Sequence, residues 1–186
     1  VFFKEINNAI EQIFNGVGGG ASTFTYQNAK KAKSFGVELE MRKKLDFSAT
    51  LKNFTFQANA SCINSKVKDQ TLNVNRPMQG QSPYVLNFGL LYDLEKAGIN
   101  ATLLYNQVGE RIYLVGDAFA GAPDIYEAPR ALFDLQVAKK LLKNKAEVRL
   151  NISDLLNQKL YFYQNTNFPN GDVFFDFLMY RFNSKQ

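Results

Sequence analysis

Carboxylates alternate with basic side chains along several segments, and these are the residues whose types and spacing could support chemistry. They are Glu38, Glu40, Arg42, Asp134, Lys140, Glu147 and Arg149. Buried acid pairs can act as general acids and bases. The 186 residues include no histidine, so the chain lacks the commonest general base and a Ser-His-Asp arrangement is excluded. We therefore interpret these charges as a polar wall that another domain contacts, and predict neither an enzyme nor a cofactor.

Other familiar sites are also missing from the sequence. The single cysteine, Cys62, excludes an internal disulfide and any zinc-type ligand spacing. The glycines at 18–20 lie in a predicted loop with no helix after them, which does not match a phosphate-binding loop. The formal charge of +5 comes from basic residues scattered over three groups, near strand ends and turns. No nucleic-acid partner and no metal site are predicted.

The elements that must position the polar residues are strands. In residues 81–111 the side chains alternate, with Tyr84, Leu86, Phe88, Leu90, Tyr92 and Leu94 on one face. The other face is mixed, and the alternation resumes after a polar turn at Glu95–Gly98. Because side chains in a strand repeat with period two, this pattern predicts an antiparallel hairpin with one apolar face and one mixed polar face.

The same alternation continues through the rest of the chain. Residues 35–45 put Phe35, Val37, Leu39 and Met41 on one face, and a slip of one residue would turn Arg42 toward lipid at about 2–4 kcal/mol. Applied to every strand, the alternation predicts one polar face that lines a lumen. Its charged and amide members are Glu38, Glu40, Arg42, Gln57, Asn59, Asp134, Gln136, Glu147, Arg149 and Asn151.

The predicted connections alternate between long and short. Short turns are expected at Asp46–Leu51, Glu95–Gly98 and Lys143–Lys145, and long loops at Asn15–Thr23, Ser65–Gln81, Leu114–Pro129 and Asn157–Asp172. Apolar-outward, polar-inward strands with short periplasmic turns and long outer loops are typical of a transmembrane β-barrel. The prediction is an all-β, antiparallel barrel segment of about eight strands, the last at about Val173–Phe182.

Five stretches together resemble a known family: NAKKAKSFGVELEMRKKL (Asn28–Leu45), NRPMQGQSPYVLNFGLLY (Asn75–Tyr92), YNQVGERI (Tyr105–Ile112), EAPRALFDL (Glu127–Leu135) and NISDLLNQKL (Asn151–Leu160). They are similar to the C-terminal barrel portion of TonB-dependent outer-membrane receptors of the Bacteroidetes type. The resemblance covers nearly the whole chain. It implies a 22-stranded barrel whose lumen holds an N-terminal plug domain, and barrels of this size are plugged.

The resemblance also implies energised import of a nutrient across the bacterial outer membrane. The partners would be outer-membrane lipid and lipopolysaccharide, the plug and the TonB complex, the barrel-assembly machinery and, as a further candidate, a surface lipoprotein. The chain begins at Val1 without a signal peptide, as though within a strand, so we expect residues 1–186 to be a single-domain fragment without the plug and earlier strands. Outer-membrane proteins usually end with two aromatics two residues apart, and Tyr180 and Phe182 fit this assembly signal.

Ligand contacts are expected in the outer loops, because loops carry binding while the wall is scaffold. The candidates are Arg76, Gln79, Gln81, Arg111, Tyr113, Asp117, Tyr126, Tyr161, Tyr163 and Asn165. Aromatic and amide groups suit siderophores, oligosaccharides and peptides alike, so the substrate stays open. Two alternatives also stay open: a self-contained eight-stranded outer-membrane barrel with a structural or adhesive role, and a lipocalin-like binder, against which the polar inner faces argue.

Overall fold

A computed structural model describes residues 1–15, 23–49, 51–69, 74–117, 121–143, 145–168 and 171–174. Twelve strands lie in these residues, and hydrogen bonds join them into one sheet. Among the same residues, no helix is long and apolar enough to cross a bilayer. The sheet is open: within the described part of the chain, the edge strand β10 pairs with β9 alone. The predicted all-β fold is confirmed.

The strands are β1 (Phe2–Asn15), β2 (Thr23–Lys44), β3 (Phe54–Asp69), β4 (Val74–Arg76), β5 (Tyr84–Leu94), β6 (Ile99–Val108), β7 (Arg111–Gly116), β8 (Ile125–Glu127), β9 (Arg130–Leu141), β10 (Ala146–Ile152), β11 (Phe162–Phe168) and β12 (Gly171–Phe174). We call β1, β2, β3, β5, β6, β9 and β10 the wall. Each wall strand pairs antiparallel with the next one in the chain. This meander agrees with the predicted first seven strands.

The wall has two distinct ends. At the end that we call the turn end, β5 and β6 are joined by a 3-10 turn at Glu95–Ala97 and by Gly98, as predicted. Short connections join β2 to β3 and β9 to β10 at the same end. Strands β4, β7, β8, β11 and β12 lie at the opposite end, which we call the loop end. Every strand of the wall runs between these two ends, as strands that cross a layer would.

The cross-strand register brings the predicted polar residues to one face of the wall. One row runs Glu40, Asn59, Asn87, Asn106, and the next runs Arg42, Gln57, Gly89, Leu104, Asp134. A third row includes Gln136 opposite Asn151, and beyond it Arg149 lies opposite Ala138. Asn106 Nδ2 donates to Asn87 Oδ1 over 2.5 Å, so amides bond across the strands on this polar face.

The opposite face is apolar. Its central row is aromatic, with ring centroids 6.3 Å apart for Phe56 and Phe88, 5.9 Å for Phe88 and Tyr105, and 4.7 Å for Tyr105 and Phe133. Large side chains on this face are open to the surroundings: Leu39 is 70% exposed and Val148 60%. Contiguous apolar surface of this extent on a protein marks a partner or a membrane.

The apolar face has the height of a bilayer's hydrocarbon region. Along β2 the outward positions between Lys33 and Lys43 are Phe35, Val37, Leu39 and Met41. Ten residues of strand extend about 33 Å, and a tilt of about 45° reduces this to roughly 23 Å, close to the ~25 Å apolar band of a membrane barrel. Lysines bracket the band, as expected where a wall enters water on both sides.

Three predicted long loops contain strands, so these predictions were wrong in part. The Ser65–Gln81 loop is wrong over residues 65–69 and 74–76, because β3 continues to Asp69 and β4 folds back on it, with Val67 opposite Arg76. The Leu114–Pro129 loop contains the end of β7 and all of β8. The Asn157–Asp172 loop contains β11, which pairs with β8 and β12. Polar sequence predicted coil in these segments, whereas pairing between distant segments makes them strands.

Strand β1 reverses its facing at Asn8. Ile6 and Ala9 pack against Ala32 and Val67, yet these two residues of β1 are three positions apart and not two. Asn8 has φ 58°, in the left-handed region that asparagine tolerates better than most residues. The pairing with β2 continues beyond it in the same register. Odd-numbered residues such as Ile13 are therefore buried above Asn8, while Ile10 is 73% exposed.

The turn between β5 and β6 depends on Gly98. Its φ is 62°, and a Cβ at this position would lie 3.0 Å from Lys140 Cβ. We predict that Gly98→Ala weakens the end of the hairpin by about 1–2 kcal/mol, measured as roughly 5- to 30-fold faster hydrogen exchange in residues 92–103 of the protein in detergent micelles. Asparagine tolerates the left-handed backbone better than alanine does, so the Gly98→Asn variant should exchange more slowly than the Gly98→Ala variant. Equal exchange in the alanine variant and the wild type would contradict the prediction.

Candidate functional site

A groove of about 370 Å³ opens at the loop end, and several predicted ligand-binding residues line it. It forms because β5 pairs with β3 up to Cys62 while β4 pairs with β3 from Val67 onward, which leaves a gap along that edge of β3. The predicted residues at the groove are Arg76, Gln81, Arg111 and Tyr126, together with Asn75 and Glu110, which the sequence analysis did not single out.

Arg76 is held in a bidentate ion pair. Its Nη1 and Nη2 lie 2.9 Å and 2.6 Å from the two carboxylate oxygens of Glu11. The side chains are 13% and 6% exposed, so the pair is largely removed from water. The guanidinium fork matches a carboxylate in shape, which makes this geometry stronger than a single contact. Arg76 therefore fixes β4 to β1, and Glu11 fills the two positions at which a ligand carboxylate would bind.

The side-chain amide of Gln79 links the backbones of β1 and β7 through hydrogen bonds. Its Oε1 accepts a hydrogen bond from the Gln12 amide over 2.8 Å, and its Nε2 donates to the carbonyls of Gln12 at 3.2 Å and Tyr113 at 2.8 Å. The next amide, that of Gly80, donates to the Ile112 carbonyl over 2.8 Å. With these bonds made, Gln79 supports the loop end and leaves little of its amide for a ligand.

Arg111 and Glu127 pair across β7 and β8. Nε and Nη2 of Arg111 lie 2.9 Å and 2.8 Å from the same oxygen, Oε2, of Glu127. The arginine side chain is 37% exposed, and the second oxygen of Glu127 takes no part in the pair. Arg111 therefore presents part of its guanidinium to the groove, as a group that could contact an anionic or hydroxyl-rich ligand.

Aromatic pairs support the loop end on both sides of β8. Tyr126 stacks on Tyr163 with ring centroids 5.7 Å apart and also packs against the buried side chains of Ile13, Ile112 and Val115. Tyr113, 48% exposed, contacts Phe162 at 4.5 Å. These rings give the loops a rigid apolar support, and Tyr113 remains open to a ligand.

The hydroxyl of Tyr163 donates a hydrogen bond to the Glu110 carboxylate. Burial, followed by this hydrogen bond and the charge of Glu110, raises the pKa of Tyr163 above its ordinary value. Burial also raises the pKa of Tyr126, with the charges of Asp124 and Glu110 adding to it. Both phenols therefore stay protonated at neutral pH: the Tyr163 hydroxyl is used by Glu110, and Tyr126 lines the groove.

The remaining predicted ligand residues lie apart from the groove. Tyr161 is 48% exposed, and its carbonyl accepts the Ala128 amide over 2.9 Å. Asp117 anchors the end of β7, since its amide donates to the Phe14 carbonyl over 3.2 Å. Asn165 pairs with Phe174 through the backbone. Tyr180 and Phe182 lie outside the described residues.

The polar face of the wall carries the second set of predicted residues. Asp134 accepts the Asp154 amide over 2.8 Å, and Arg149 pairs with Glu147 at 2.6 Å, both exposed. Glu38, Glu40 and Arg42 are exposed and form no ion pair with any residue that the structure describes. The face thus offers a band of charges and amides to whatever lies against it.

Among residues 1–15, 23–49, 51–69, 74–117, 121–143, 145–168 and 171–174, no group of three or more acidic or cysteine side chains could hold a metal ion. The free thiol of Cys62 lies on the apolar face, opposite Val37 and Tyr84. The arrangement can recognise a ligand through arginine, amide and phenol groups.

A family model described as "TonB dependent receptor-like, beta-barrel" matches residues 1–155. The chain belongs to this family. Neither a comparison with curated proteins nor one with solved structures finds a match. The family is one of transporters and not of enzymes, and its barrels typically lie in the outer membrane with a plug and TonB as partners. The predicted family and fold class are confirmed.

The Glu11–Arg76 pair predicts how the loop end responds to mutation. Arg76→Met leaves a buried carboxylate unpaired, and losses of about 3–5 kcal/mol are typical of such a change. In the whole receptor, we expect hydrogen exchange of residues 74–82 and 111–116 to rise by at least a hundredfold. The double variant Glu11→Gln/Arg76→Met should recover most of the protection.

Arg149→Met is the matched control for this prediction, because it breaks an exposed pair at the other end of the wall. Exposed pairs contribute about 0–1 kcal/mol, so exchange at the loop end should not change. Unchanged exchange in Arg76→Met would show that the pair does not hold the loop end.

Proposed function

We propose that this chain is part of the barrel wall of an outer-membrane receptor of the Bacteroidetes type that imports a nutrient ligand through a plugged, 22-stranded barrel. The observation that carries the proposal is the two-faced wall, with an apolar band of bilayer height on one face and charges and amides on the other. The match to the receptor barrel family supports the same function.

The polar face is proposed to line the lumen and contact the plug. Glu38, Glu40 and Arg42 are the charges available for that contact, because they are exposed and form no ion pair with the described residues. Gln57, Asn59, Gln136 and Asn151 extend the same face as neutral hydrogen-bonding groups. The plug and the TonB complex that pulls on it would be supplied by the rest of the receptor, and the barrel-assembly machinery would insert the wall.

The loop end is proposed to face outside, where it receives the ligand. Short turns at one end and long connections at the other are the arrangement of outer-membrane barrels, whose long loops are extracellular. The groove with Arg111, Gln81, Glu110 and Tyr126 then forms part of the ligand-binding surface, and a surface lipoprotein could cover it. The ligand is of the siderophore, oligosaccharide or peptide class, since each offers groups that arginine, amide and phenol side chains bind.

Labelling of engineered cysteines tests the orientation. In a Cys62→Ala receptor, we expect Tyr161→Cys to react with a membrane-impermeant maleimide on intact cells, because Tyr161 is exposed at the loop end. Lys96→Cys, exposed in the turn after β5, should react only after the outer membrane is permeabilised. The parent Cys62→Ala receptor is the blank. Labelling of Lys96→Cys on intact cells, with Tyr161→Cys protected, would reverse the proposed orientation.

Uptake measurements test the ligand surface. Cells that carry the full receptor would be offered labelled siderophores, oligosaccharides and peptides, with and without a functional TonB complex. For whichever class is imported, Gln81→Ala and Glu110→Gln are expected to lower uptake about tenfold, because a lost hydrogen bond to a charged or polar ligand is worth about 1–2 kcal/mol. Glu147→Gln, far from the groove, should leave uptake unchanged. Uptake that persists without TonB would contradict energised import.

A further inference from the structure

Four lysines form a cluster on the outward face of the wall at the loop end. They are Lys31 and Lys33 of β2 and Lys66 and Lys68 of β3, all exposed. The register sets Lys31 directly opposite Lys68 and Lys33 directly opposite Lys66. We call these four residues the lysine cluster. Lys66 also lines the edge of the groove, whereas Lys31, Lys33 and Lys68 do not, and neither the polar face nor the plug contact uses any of the four.

The lysine cluster conflicts with the rules of strand pairing. Like charges directly opposite each other on neighbouring strands are destabilising, and here two such pairs stand side by side. Glu5 offsets one side of the cluster, with oxygens 2.5 Å from Lys31 Nζ and 3.7 Å from Lys33 Nζ. Lys66 and Lys68 form no ion pair with any residue in the described part of the chain. Such a local conflict is expected where function maintains it.

The position of the cluster identifies its surroundings. On β2 the outward residue next to Lys33 toward the turn end is Phe35, followed by Val37 and Leu39, so the lysines stand directly above the apolar band. A shallow cavity of about 230 Å³ lies among them, with Phe3 and Phe35 at its apolar side. Lys33 Nζ stands 5.9 Å from the centre of the Phe3 ring. This is the height at which a membrane places its phosphates.

We propose that the lysine cluster binds the phosphate groups of the anionic glycolipid, lipopolysaccharide, in the outer leaflet. The inference rests on the proposed function, because it takes the loop end to face outside. Ammonium groups bind phosphates as point charges, and one bound phosphate between the two strands would offset the repulsion of both lysine pairs. The exposed rings of Phe3 and Phe35 lie on the turn-end side of the lysines, where the acyl chains would begin.

The lipid fits the cavity better than free phosphate does. Two of the residues that line the cavity are exposed phenylalanines, Phe3 at 62% and Phe35 at 52%, which suits a ligand that has both an anionic head and an apolar tail. At the turn end of the same strand the outward face carries Lys43 opposite Phe56, without a second lysine opposite it. The paired arrangement therefore belongs to the loop end of β2 and β3.

Native mass spectrometry of the purified full receptor with lipopolysaccharide tests the site. A basic residue near an anionic membrane surface contributes about fivefold to binding, so Lys66→Gln/Lys68→Gln should weaken glycolipid binding roughly 25-fold. The matched control, Lys43→Gln/Lys52→Gln, removes the same charge at the turn end and should change binding less than twofold. Dephosphorylated glycolipid should bind weakly to the wild type and to the variant alike.

A stability measurement separates ligand binding from a purely structural role. In glycolipid-free detergent, Lys66→Gln/Lys68→Gln should be at least as stable as the wild type, because it removes like-charge pairs. With lipopolysaccharide added, the wild type should gain more in melting temperature than the variant. A variant that is less stable in both conditions would assign the lysines a structural role.

Two further outcomes would overturn the proposed site. Equal glycolipid binding by the wild type and the variant would show that the cluster is not the site. Displacement of the glycolipid by millimolar inorganic phosphate would assign the cluster to free phosphate. If the cysteine labelling is reversed but Lys66→Gln/Lys68→Gln still binds the glycolipid 25-fold more weakly in detergent, the phosphate site stands and the proposed orientation is refuted. Failure of the site and failure of the orientation are therefore distinguishable.

Discussion

Successive side chains of a strand point to opposite faces, so the pairing register between β2, β3 and β5 determines what each face of the wall contains. In the observed register, Arg42 shares a face with Gln57, and Met41 shares the other with Ala58 and Phe88. A slip of one residue between any two strands would mix the two sets. The apolar band, the polar face and the lysine cluster all depend on this one register.

The loop end depends on interactions of another kind. Side chains from distant parts of the sequence hold it: Glu11 binds Arg76, and Gln79 bridges Gln12 and Tyr113. The groove lies beside these contacts, so its shape follows from side-chain bonds and not from the wall's ladder alone. The loop end and the register of the wall are therefore maintained by separate sets of interactions.

The sequence predicted the wall well because alternation is a local property. The polar face could be listed residue by residue, from Glu38 to Asn151, and the turn at Gly98 follows from its composition. The structure of the loop end could not be predicted from alternation, because it depends on contacts between residues that are distant in the sequence. Strand β4 is only three residues long, too short to show an alternation pattern, so its pairing with β3 could not be predicted. Arg76 was predicted to contact a ligand, whereas its side chain pairs with Glu11, 65 positions earlier in the chain. Glu110 lies in one of the stretches that resemble the family, yet it was not predicted as a ligand residue, because its hydrogen bond comes from Tyr163, 53 positions later in the chain.

Asn8 shows how one strand can serve two environments. Its left-handed backbone inverts the facing of β1 while the pairing with β2 keeps the same offset on both sides. Below Asn8, β1 pairs with the part of β2 that carries Lys31, Lys33 and Phe35, and above it Ile13 of β1 packs in the core of the loop end. Ala29 and Ala32 of β2 are likewise three positions apart and both buried, so the inversion continues into β2 while the register between the two strands is kept. The upper part of the sheet can therefore bury a different set of residues from the wall below it without an inserted residue.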